Sequence, residues 1–117
     1  MVSRKESSML VIANDPFKTL FEAVYELYPD LKANIQFNPE LSFEDDEFGC
    51  TTFPDDGSTP LIDINPQLTV LDALEIIVHE IAHVVCGPDH EHDKEWKRVF
   101  SQIHEKFQEV AMRIVKE

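Results

Sequence analysis

The sequence predicts an α+β domain built from an N-terminal helix, a small and mostly antiparallel sheet, a buried central helix and a C-terminal helix. Three observations predict it. Apolar residues recur at helical spacing near both ends of the chain. Short apolar runs broken by turn-forming dipeptides fill residues 34–66. Between them and the last helix, residues 70–85 are apolar on almost every side. With 117 residues the chain fits one domain spanning 1–117, because two cores would each be too small to stand unaided.

The first eight residues are polar and read as a mobile tail. Asp15-Pro16 reads as a helix start, with Asp as N-cap and Pro at the first helical position. Phe17, Leu20, Phe21, Val24, Leu27 and Tyr28 then form one apolar face, and Pro29 stops the helix. Ile35–Phe37, Phe48–Phe53 and Leu61–Ile64 read as strands, separated by Asn38-Pro39, Pro54-Asp55-Asp56-Gly57 and Asn65-Pro66. The acidic run Glu44–Glu47 reads as a solvated loop or strand end, and Leu61–Ile64 is a candidate edge strand whose role pattern alone does not fix. Thr69 with Asp72 resembles a capping box, and Gly87-Pro88 ends the helix that it starts. A last helix runs from about Asp93, burying Trp96, Val99, Phe100, Ile103, Phe107, Val110 and Ile114.

Composition narrows the function classes. The net charge is −13, from 23 acidic and 10 basic residues. Phosphate contact needs clustered Lys and Arg, so nucleic-acid and anionic-membrane partners are disfavoured. Cys50 and Cys86 form no CxxC and no disulfide framework. Read as reduced, with Cys86 a buried thiol, they point to the cytoplasm. No secretory signal is visible, since Met9–Ala13 is too short for an apolar signal core or a membrane span.

Into the apolar helix the sequence inserts His79, Glu80 and His83. Burying polar side chains without partners costs several kcal/mol, so this HExxH demands a role. Two histidines four apart lie one above the other on a helical face and can reach one zinc ion. Glu80 lies about 100° around the helix, beside the water that such a metal activates, where a general base belongs. A catalytic zinc takes a third protein ligand and keeps a fourth position open. His90 and His92 both follow the Gly87 turn, with His104 a more distant candidate. Spacing alone does not choose between the first two, although His92 is anchored by the adjacent helix cap Asp93.

The stretch HEIAHVVCGPDHEHDKEWKRVF resembles the SprT-like zinc metallopeptidases, including small phage-type members. His79, Glu80 and His83 match their first element, and His92-Asp93-Lys94-Glu95-Trp96 matches the histidine-to-aromatic element that opens the next helix. The helix, short sheet and Asp63-Ile64-Asn65-Pro66 upstream are similar in order. The connector to His92 is short for the group, Asp93 stands where glycine is common, and no DNA-binding extension is present. The resemblance implies a zincin-like fold, with His79, His83 and His92 as ligands of one Zn2+ and Glu80 as base. Gly87-Pro88-Asp89-His90 is also similar to the last element of the YbeY-type endoribonucleases, but these lack the glutamate after their first histidine.

The expected function is therefore peptide-bond hydrolysis on a peptide or unfolded protein, extended along an edge at Leu61–Ile64. Tyr25, Tyr28 and His104 are candidate stabilisers of the reacting oxygen, though nothing in the sequence brings them to the metal. The alternatives are a catalytically silent zincin-like metal-binding or interaction module, and a hydrolase acting on something other than peptides, such as RNA.

Overall fold

In the computed structural model, which describes residues 10–116 and side chains as far as Arg113, helices pack around a three-stranded sheet. The tail expected over 1–8 and the side chain of Ile114 lie outside the described residues. Helix α1 (Pro16–Leu27) starts as its sequence dictates, with Asp15 Oδ1 accepting from the Phe17 amide at 3.0 Å. Strands β1 (Asn34–Phe37), β2 (Gly49–Thr52) and β3 (Leu61–Ile64) follow, with a 3₁₀ turn at Phe43–Asp45 within the acidic loop. Helix α2 (Val70–Cys86) is capped by Thr69 Oγ1, which accepts from the Asp72 amide at 3.1 Å. It ends at Gly87, whose φ of 92° is one a side chain would resist. Helix α3 (Lys94–Lys116) starts at Asp93, whose Oδ1 accepts from the Trp96 amide at 2.9 Å.

The sheet differs from expectation in two ways. Its order is β1-β3-β2, with β3 parallel to β1 and antiparallel to β2, so it is mixed. Leu61–Ile64 is accordingly the central strand and not an edge. Both its edges are paired, which leaves no room for an extended substrate there. The physical reason is that alternating burial, with Ile62 and Ile64 inside, fits an edge or a centre equally, and only the pairing with β1 and β2 places the strand. The open edges belong to β1 and β2.

Helix α2 packs on the sheet and on α3, and α1 packs mainly on α3 while also touching α2. Leu20, Val24, Ile62, Ile64, Ile77, Val78, Ile81, Val99 and Ile103 form one buried cluster. The helix is not apolar-buried all round, because Val70 and Leu71 in its first turn are exposed before it reaches its partners. Asn65, fully buried between β3 and α2, sends its Nδ2 to the Glu47 carbonyl at 2.9 Å and takes the Gln67 amide on Oδ1. It thereby staples the acidic loop to the head of the central helix. Among the described residues no helix is long and apolar enough to cross a membrane.

Gly49 is where β2 passes closest to α2. A Cβ there would stand 2.4 Å from Ile76 Cγ2 and 3.4 Å from Glu80 Oε2. Gly49→Ala is expected to cost about 1–3 kcal/mol through overpacking, read as a lower urea midpoint with an unchanged m-value.

Candidate metal centre

The helical spacing of His79 and His83 puts both imidazoles on the side of α2 that faces the start of α3. The chain leaves α2 at Gly87, turns through 88–91 and returns at His92, whose φ of 54° is left-handed. Such a backbone costs a non-glycine residue roughly 1–2 kcal/mol. It brings His92 Nε2 to 3.1 Å from His79 Nε2 and 3.2 Å from His83 Nε2. One ligand nitrogen from each of the three lies within 4.8 Å of the others. Zn–N bonds of about 2.0–2.1 Å at tetrahedral angles set neighbouring nitrogens about 3.3–3.4 Å apart. The donor set and its two shortest spacings thus fit a single small metal ion, without identifying which.

Trp96 forms the floor. Its ring centroid lies 4.5 Å from His92, 4.8 Å from His79 and 5.5 Å from His83, and Phe100 stacks on it at 5.0 Å. These contacts fix the imidazole planes by packing. The indole Nε1 is buried without a hydrogen-bond partner, a cost accepted for placing the ring there.

Glu80 projects beside the histidines and is 7% exposed. Its Oε1 accepts from the Thr51 hydroxyl at 2.6 Å, and its Oε2 lies 4.0 Å from His79 Nε2. Gly49 lets β2 come close to α2 beside this carboxylate, where a Cβ would collide with Ile76. Thr51, Phe53, Glu80, His83, Pro88, His90 and Glu91 line an open cleft of about 220 Å³ against this group.

The structure therefore brings together His79, Glu80, His83 and His92, and leaves the other candidates out. His90 lines the cleft with its Nδ1–H donating to Asp93 Oδ2 at 2.7 Å, and it is not one of the three imidazoles that converge. Asp93 is held below the usual carboxylate range, first by the Trp96 amide, with His90 adding to it. His104 pairs with Glu75 at 3.1 Å and packs on Phe100. The Tyr28 hydroxyl reaches Gln102, and Tyr25 lines an apolar pocket between α1 and β1. Thr51 and Gly49 were not legible as site residues, because only the β2–α2 contact gives them a role. Cys50 is exposed and Cys86 half-buried, both as free thiols.

No protein-family model, curated protein or solved structure matches this chain.

Burial pushes the His79 imidazole below its ordinary range; Glu80 opposes this, and His83 and His92 reinforce it. A neutral imidazole is the form that binds metal. In metal-free protein the unfolded His79 titrates near 6.5 while the folded one resists protonation to a lower pH. The unfolded state thus gains the proton first, and stability falls as pH drops from about 6.5 toward the folded value. His79→Gln should flatten that part of the profile, seen as a smaller change in urea midpoint between pH 7 and 5.5.

Proposed function

We propose that this chain is a zinc-dependent metallopeptidase of zincin type, with His79, His83 and His92 as the metal ligands and Glu80 as general base. The observation that carries the reading is the convergence of three imidazole nitrogens beside a buried carboxylate whose one free oxygen faces them. The likeness of residues 79–100 to the SprT-like metallopeptidases supports it as well.

Zinc held by three imidazoles would supply a Lewis acid that polarises a carbonyl and acidifies a water molecule. Glu80, with Oε1 tied to Thr51, keeps Oε2 free to take that water's proton as it attacks the peptide carbonyl. The same oxygen returns the proton to the leaving amine, so acid and base are one group. Trp96 and Phe100 hold the imidazole planes and keep water off their inner side. The substrate lies extended along the open edge of β2, where Thr51 and, just past the strand, Phe53 form one wall of the cleft. Among the described residues no Lys or Arg lines this cleft, and the −13 chain is poorly suited to RNA.

Titration with zinc should show one equivalent bound. Alanine at His79, His83 or His92 should weaken binding by 10²-fold or more, whereas His90→Ala should leave it intact. Equal loss in the His90 and His92 variants would disprove the ligand assignment. Glu80→Gln should bind zinc normally and lose about 10²–10⁴-fold in cleavage of an unfolded protein. A Glu80→Gln protein as active as the parent, or a parent that binds zinc and cleaves no peptide, removes the peptidase reading in favour of a metal-binding module.

A further inference from the structure

The strand that borders the cleft also holds the base. The Asn65 amide donates to the Phe48 carbonyl at 2.9 Å, in the same register that pairs Cys50 with Asp63 and Thr51 with Ile62. Antiparallel ladders alternate bonded and non-bonded pairs. Phe48, Cys50 and Thr52 therefore turn their backbone groups toward β3, and Thr51 turns its N–H and C=O outward. The β1 side agrees, since the Asn34 and Asn38 amides donate to the carbonyls of Pro60 and Ile64, leaving Asp63 to face β2. Among the described residues no strand pairs with the outer edge of β2.

The Thr51 side chain points the other way, into the molecule. Its hydroxyl donates to Glu80 Oε1 at 2.6 Å and lies 3.5 Å from the Glu80 carbonyl oxygen. A glutamate's last torsion is broad when nothing fixes it. Here the hydroxyl sets the carboxylate plane, and Gly49, two residues back on the same face, lets the strand approach Ile76 and Glu80 of α2 closely. Among the described residues, Thr51 is the hydrogen-bond donor to this carboxylate.

We propose that Thr51 is a positioning residue that sets Glu80 and the substrate in one register, its hydroxyl orienting the carboxylate while its outward backbone groups pair with an extended peptide. The proposal rests on the peptidase reading for its substrate half only. One residue at a fixed point in the ladder then determines both which peptide bond lies over the histidines and where the base waits for it.

Thr51→Val keeps the β-branched shape and the main chain but removes the donor, and Thr51→Ser keeps the donor. In the zinc-loaded protein, Thr51→Val is expected to lower kcat by about 10- to 100-fold, the worth of one charge-assisted hydrogen bond. KM for an unstructured peptide and zinc affinity should stay unchanged, and Thr51→Ser should recover most of the rate. Crystal structures of the three proteins should show the Glu80 carboxylate rotated in Thr51→Val and restored in Thr51→Ser. Separately, N-methylation along the peptide should weaken its binding to the Glu80→Gln protein at one position and not at its neighbours. A carboxylate that stays in place in Thr51→Val overturns the positioning role whether or not the protein cleaves peptides. An N-methyl scan without any sensitive position overturns the pairing at β2. If the parent cleaves nothing, the peptidase reading fails by itself, and the carboxylate's orientation still decides the role of the hydroxyl.

Discussion

The structure depends on one constraint: the helix that supplies more of the core than any other element must also carry two imidazoles and a carboxylate. Ala73, Leu74, Ile77, Val78, Ile81 and Ala82 of α2 are buried, and Glu80 is buried among them. Each polar side chain in such a place needs a partner, since an unpaired one costs several kcal/mol. The rest of the fold supplies them from different directions. Strand β2 brings the Thr51 hydroxyl to Glu80, and the turn after α2 brings His92 to His79 and His83. Helix α3 brings Trp96 beneath all three rings.

Local compromises mark the same region. His92 adopts a left-handed backbone, Trp96 leaves its indole N–H buried and unpaired, and Gly49 sits in a strand where glycine packs poorly. A valine at 49 and a phenylalanine at 96 would satisfy strand propensity and hydrogen bonding better. Local rules broken together around one cluster of titratable groups are what a functional site leaves in a fold. The left-handed backbone alone is not peculiar to the site, since Asn14 and Asp46 share it, while Asp15, Thr69 and Asp93 cap their helices and Arg113 pairs with Glu26 between α3 and α1.

Much of this was legible in the sequence, for identifiable reasons. Helix boundaries follow from capping chemistry confined to a few residues, so Asp15-Pro16, Thr69, Gly87 and Asp93 mark them correctly. The relation of His79 to His83 is a property of the helix itself. Strand positions were also readable, but strand order was not: Leu61–Ile64 reads the same at an edge or a centre until its partners are known. The parallel β1–β3 pairing brings together segments 27 residues apart, and no local pattern encodes it. Thr51 and Gly49 escaped for the same reason, being ordinary strand residues until β2 is laid against Glu80. That His92 and not His90 joins His79 and His83 depends on the path of the turn after Gly87 and the left-handed backbone at 92, which spacing does not encode.

Asp93 shows how closely capping and site are joined. One carboxylate oxygen caps the helix that carries Trp96, and the other ties down His90, so the turn between α2 and α3 is fastened at its far end. His92, immediately before the cap, is held where its Nε2 lies 3.1 Å from that of His79 and 3.2 Å from that of His83. The helix cap and the aromatic floor together place the three rings, at a cost in the left-handed backbone of His92. In the proposed reading, metal binding offsets that cost, and the folded chain is more stable with its ion than without it.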